Sequence, residues 1–156
     1  MRAYRHWRRH KAHHALVAAF LFSHAALLPT SSIAAGALVV ALPPDVVKGG
    51  FSYGFSNNNP DTGQASAKAL NACRTTKDAT NDAKLRALCK VIVSYSDKCV
   101  AVAMDPQAGT PGVGWSVAGD LRTAESQALS NCEKTAGPGR AAACKVDHSA
   151  CDGTAK

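Results

Sequence analysis

Six cysteines and one histidine are the residues best suited to chemistry beyond the basic N-terminus of the chain. The cysteines stand at positions 73, 89, 99, 132, 144 and 151, and the histidine is His148. Together they raise three possibilities: a zinc site, a redox couple, or a nucleophile with its base. The gaps between successive cysteines are 16, 10, 33, 12 and 7. None is a Cys-x-x-Cys, the spacing that zinc knuckles and thioredoxin-like couples use. No metal ligand set and no cofactor is therefore expected. Hydrolysis would have to use His148 as its base. Its neighbour Asp147 is poorly placed to orient it, because adjacent residues of a strand point to opposite faces, and no nucleophile elbow is expected. Paired carboxylates for glycoside cleavage must converge. Here Glu125 and Glu133 fall on one helical stretch, while Asp61 and Asp120 are better used as helix caps. No catalytic residues are assigned and the chain is expected not to be an enzyme, with a small periplasmic hydrolase as the alternative.

The elements that hold these residues follow a pattern that occurs twice. Ala69-Leu70-Asn71-Ala72-Cys73 closes one Ala-rich stretch and Ala128-Leu129-Ser130-Asn131-Cys132 closes another. Each is followed, after a polar loop, by Cys-Lys-Val, at Cys89 and at Cys144. Upstream, Phe51, Tyr53 and Phe55 alternate with Gly50, Ser52 and Gly54, the period of two that marks a strand. Val113, Trp115 and Val117 alternate with small residues in the same way. Apolar runs open both copies, Gly36 to Leu42 and Cys99 to Met104, and Ala37 is matched to Cys99. Asp61 and Asp120 are good N-caps, since a short carboxylate accepts the orphan N–H groups of a first turn. They predict helices over 62–74 and 121–133, each with a narrow Ala-rich stripe suited to close packing on a sheet.

The fold class expected is α+β: two pseudo-symmetric β-β-α-β repeats, about 37–96 and 99–151, forming a small sheet packed by two helices and stapled by disulfides. The element order pairs the cysteines. A helix-ending cysteine lies beside the start of the following strand, which gives Cys73–Cys89 and Cys132–Cys144. Cys99 and Cys151 each follow the third strand of their copy and are paired across the repeat. On the chain-entropy estimate the two local loops contribute about 3 kcal/mol each and the longer one about 4 kcal/mol. The aromatic strands are read as core beneath the helices, with Tyr53, Phe55 and Trp115 as the possible binding surface if they are exposed.

Charge and hydropathy speak to compartment. The net charge of +7 is concentrated at the N-terminus, where Arg2, Arg5, Arg8, Arg9 and Lys11 meet no acid. The remainder carries 13 Lys and Arg against 11 Asp and Glu, without the clustered basic face that nucleic acid needs. Residues 1–35 read as a secretory signal peptide: a basic stretch, an apolar run from Ala15 to Leu28, then small-x-small cleavage options ending at Ala34 and Ala37. A spanning helix needs about 20 apolar residues, so no stable membrane insertion is expected after cleavage. Residues 36–156 form one domain, and an even set of cysteines in an exported chain implies disulfides. The product expected is a periplasmic or extracellular binding module whose partner is a protein or a cell-envelope component.

The glycine-aromatic-serine strand, the capped helix ending in Ala-Leu-x-x-Cys, the Cys-Lys-Val strand and Cys-Val-Ala-Val-Ala resemble the bacterial exported family known as domain of unknown function 4189. The resemblance covers about residues 37–151. It rests on the ordered set Cys73, Cys89, Cys99, Trp115, Cys132, Cys144 and Cys151. It implies a small α+β domain with a secretion signal and no general biochemical activity. The chain departs from the pattern in a first copy poorer in tryptophan and in a long loop after the first helix.

Overall fold

A computed structural model describes residues 34–156. The leader assigned to residues 1–35 lies, as far as residue 33, outside the described residues. Strand β1 (Ala35–Ala41) is followed by the short helix α1 (Val46–Gly49), strand β2 (Ser52–Asn59) and helix α2 (Thr62–Arg74). Two short helices, α3 (Lys77–Asn81) and α4 (Ala83–Ala87), lead to β3 (Lys90–Tyr95). Strands β4 (Cys99–Met104) and β5 (Val113–Ala118), helix α5 (Leu121–Ala136), a 3-10 turn (Ala141–Ala143) and β6 (Lys145–Cys151) complete the chain. The fold is α+β.

The expected single sheet is corrected to two antiparallel three-stranded sheets, ordered β2-β1-β3 and β5-β4-β6. The reason lies in the two central strands, which are buried on both faces. Ala37, Val39 and Ala41 of β1 face Ala65, Ala69 and Cys73 of α2. Leu38 and Val40 point the other way, into a layer shared with Val100 and Val102 of β4. Cys99, Ala101 and Ala103 turn in turn to Ala124, Ala128 and Cys132 of α5. Helix α2 covers a face of β1 whose largest side chain is Val39, and α5 covers a face of β4 made of Cys99, Ala101 and Ala103. The larger residues of β1 and β4 need a second apolar layer, and each sheet supplies it to the other. The order of layers is helix, sheet, sheet, helix.

Close helix packing depends on two glycines. A Cβ on Gly54 would stand 2.4 Å from the Ala69 carbonyl oxygen and from the Cys73 amide nitrogen. One on Gly114 would stand 2.4 Å from the Ala128 carbonyl oxygen and 2.3 Å from the Cys132 amide nitrogen. Helix backbone therefore lies directly on strand backbone at both places. Asp61 and Asp120 start the two helices, accepting from the Gln64 and Thr123 amides at 2.8 and 2.9 Å. Those amides hold both carboxyls below their usual range. Three disulfides, Cys73–Cys89, Cys132–Cys144 and Cys99–Cys151, tie these elements together. They are the three pairs read from the element order.

Two polar contacts fix the ends. The buried Asp105 carboxylate, just after β4, receives Arg140 Nε at 2.5 Å and Nη2 at 2.7 Å. The buried Asp152 carboxylate accepts the Asn58 amide at 2.6 Å, and Asn58 Oδ1 accepts the Gly153 amide at 2.9 Å. The second contact joins β2 of one sheet to the end of β6 of the other.

Overpacking a tight contact costs about 1–3 kcal/mol. Gly114→Ala is expected to destabilise the domain by that amount in urea unfolding. Gly119→Ala, where nothing lies within 4 Å of the added Cβ, should unfold with the parent; equal losses would contradict the close approach. Arg140, with help from the Gln107 amide, holds the Asp105 carboxyl down to about 2, below an unfolded value near 3.9. A depressed carboxyl stabilises the fold above its unfolded pKa and loses that effect as pH falls toward its folded pKa. Asp105→Asn should therefore lower the urea midpoint at pH 7 and flatten its fall between about pH 4 and pH 2. A variant with the parent's acid slope would disprove the assignment.

Candidate binding surface

Small side chains turned toward the helices leave the aromatic ones turned toward the opposite sheet. The expectation that Phe51, Tyr53, Phe55 and Trp115 form the core beneath the helices is corrected accordingly, because Gly54 and Gly114 occupy that side. Phe51 is buried, whereas Tyr53, Phe55 and Trp115 are half-buried along the rim where the sheets meet. Their rings form a row. Trp115 stacks on Phe51 with centroids 6.2 Å apart, Phe51 meets Tyr53 at 5.9 Å, and Tyr53 stacks beside Phe55 at 6.3 Å. The exposed His148 ring closes the row edge-on to Phe55 at 5.1 Å.

Two of the hollows along this rim are walled by these rings. The larger, about 850 Å³, has Trp115 and Val113 on one wall and Leu42, Pro43, Val46 and Val47 on the other. Leu42 and Val47 are 44% and 48% exposed, so the apolar wall is open to solvent. Asn131 fixes the Trp115 strand from below, its Nδ2 donating to the Trp115 carbonyl at 3.0 Å. This second wall belongs to the segment that joins β1 to β2. Asp45 stops the chain there and starts α1 by accepting the Lys48 amide at 3.2 Å. A proline pair, a capping aspartate and two valines are the signal that could have revealed this wall.

The smaller hollow, about 490 Å³, is lined by Phe51, Tyr53, Phe55, Asp78, Asp147 and His148, with Ser52 and Thr76 at its back. Here the expectation for Asp147 needs revision. In β6, His148 stands opposite Val102 and Val146 opposite Ala103, so Asp147 is an extra residue in the ladder. Such a bulge breaks strict alternation, and Asp147 and His148 line one hollow. The Asp147 carboxylate is nevertheless engaged elsewhere, accepting from the Tyr53 hydroxyl across the two sheets. Burial, with the Asp147 carboxylate, pushes the Tyr53 phenol above its ordinary value.

Gly50-Phe51-Ser52-Tyr53-Gly54 does spell Gly-x-Ser-x-Gly, a match that the expectation of no nucleophile elbow passed over. An elbow needs its serine exposed on a sharp strand-to-helix turn. Ser52 instead opens strand β2 and is 2% exposed. Its hydroxyl donates to the Cys73 carbonyl at 2.7 Å and lies 2.8 Å from Thr76 Oγ1. The serine braces the end of α2. All six cysteines are bridged, and among the described residues no group of three or more His, Cys, Asp or Glu is placed to hold a metal ion.

A family model described as domain of unknown function (DUF4189) matches residues 38–151. No curated protein matches the chain, and no solved structure does.

Proposed function

We propose that this chain, which belongs to the DUF4189 family, is an exported binding module that works through the groove beside Trp115. The observation that carries the reading is an apolar wall, including Leu42 and Val47, left open to solvent against a half-buried tryptophan. Exposed apolar patches of this kind mark interaction sites, and tryptophan is enriched among the residues that dominate binding energy. The partner is a protein or a cell-envelope component in the periplasm or outside the cell. Three disulfides suit such a compartment. Residues up to Ala34 are removed as the signal peptide, since β1 starts at Ala35 and a cut after Ala37 would truncate a buried central strand.

The two halves are copies of one β-β-α-β unit. The ladder supports this: Val39 lies opposite Gly54 and Val91, and Ala103 lies opposite Gly114 and Val146. Extra residues fall at matching places, Ile92 in β3 and Asp147 in β6. On this alignment the alanine in the place of Cys99 is Ala35, not Ala37. A hydrolase is the second reading, favoured by Ser52, Asp147 and His148 lining one hollow. The Ser52 hydroxyl is committed to the Cys73 carbonyl, and Asp147 to Tyr53, which weighs against it.

Trp7 and Trp115 are the two tryptophans of the chain, so the domain without its leader reports on Trp115 alone. The oxidised domain is expected to retain a partner from envelope extract that shifts Trp115 emission when added back purified. Trp115→Ala should weaken that retention at least about tenfold, since truncating a hot-spot residue costs about 2 kcal/mol or more. Retention of the same partner by the variant at unchanged strength would refute the groove reading, and loss of an esterase activity in Ser52→Ala would establish the other.

A further inference from the structure

The smaller hollow has a composition that packing alone does not call for. In the ladder alignment, Tyr53 corresponds to Val113, Phe55 to Trp115, Asp147 to Ile92 and His148 to Val93. At each of these four places the other half carries an apolar side chain. A fold that works with Val113 and Ile92 does not need a phenol bonded to a carboxylate at the matching positions. Asp147 is exposed, and so is Asp78 on the same hollow. Among the described residues no lysine or arginine lines it. It therefore joins two uncompensated carboxylates to a wall of three aromatic rings.

We propose that this hollow is a binding site for a primary ammonium group carried on an apolar stem. Aromatic faces attract cations by about 0.5–2 kcal/mol, more as the site is desolvated, and a carboxylate forms its stronger hydrogen bonds with charged donors. The ammonium sits between Asp78 and Asp147, and its methylenes lie on Phe51, Tyr53 and Phe55. The Tyr53 hydroxyl donates to Asp147 Oδ2 and holds that carboxylate in place, leaving the other oxygen for the ligand. Anions and neutral chains of the same length lack the charge that the site is built to receive. The same chemistry is offered by a free alkylamine and by a lysine side chain of another protein.

The site is separate from the Trp115 groove, and its readout is separate from Trp115 emission. The oxidised domain, with Tyr53 and His148 resonances assigned, is titrated with n-pentylammonium, n-pentanol, pentanoate and Nα-acetyl-lysine amide. The expected result is a saturable shift of both residues with n-pentylammonium, at a dissociation constant at least about tenfold below that for n-pentanol, with no response to pentanoate. Asp147→Asn and Asp78→Asn, each checked for an unchanged unfolding midpoint, should each weaken n-pentylammonium binding by about tenfold. Tighter binding of the lysine derivative assigns the site to a protein side chain, and tighter binding of n-pentylammonium assigns it to a free amine. Equal binding of n-pentanol, no saturable shift, or affinity unchanged in both variants would overturn the proposal.

Discussion

Helices α2 and α5 each touch their sheet backbone to backbone, and the arrangement of everything else follows from that contact. At Gly54 and Gly114 there is no room for a Cβ, because the carbonyl and amide groups of α2 and α5 occupy its place. The residues around each glycine are mostly small: Ala37 and Ala41 flank Val39 on that face of β1, and Cys99, Ala101 and Ala103 form it on β4. Strand alternation then sends Leu38, Val40, Val100 and Val102 to the far face. A face of that kind cannot be left in water, since burying one such side chain is worth about 1.5–3 kcal/mol. The two sheets meet for this reason, and the aromatic residues of β2 and β5 are carried to the rim between them.

The disulfides act at the same points. Cys73 and Cys132 supply the amide nitrogens that crowd Gly54 and Gly114, and each is bridged to the region where the following strand begins, at Cys89 and Cys144. The cross-link therefore holds the C-terminal part of each helix at its closest approach to the sheet. Cys99–Cys151 joins residues that lie directly opposite each other in β4 and β6. Beside it, the Asp152 and Asn58 contact ties that end of the second sheet to the first. Covalent and polar links thus secure both the helix-to-sheet and the sheet-to-sheet layers in a domain whose helix-facing cores are mostly alanine.

Local features were legible in the sequence. Helix α2 runs from Thr62 to Arg74, as its capping aspartate and closing cysteine suggested, because an N-cap and a covalent stop are both encoded nearby. Helix α5 runs on to Ala136, past the expected residue 133, since Gly137 ends it rather than Cys132. The second sheet was not legible. A continuous apolar run does not say whether one buried face or two is meant, and only the contrast of alanine with leucine and valine along β1 distinguishes them. The site was partly legible. Tyr53, Phe55 and Trp115 could be named from alternation, but the bulge at Asp147, the wall at Leu42–Val47 and the partnering of Tyr53 with Asp147 depend on register between distant strands. A one-residue irregularity of that kind leaves no mark in composition.

Both the Trp115 groove and the acidic aromatic hollow exist only if the sheets face each other as described. Nuclear Overhauser contacts in the oxidised domain test this most directly. Cross-peaks are expected between methyl groups of Leu38 or Val40 and those of Val100 or Val102, and between the rings of Phe55 and His148, whose centroids are 5.1 Å apart. Methyl contacts of Leu38 and Val40 confined to their own sheet and to α2, with no Phe55–His148 cross-peak, would contradict the account.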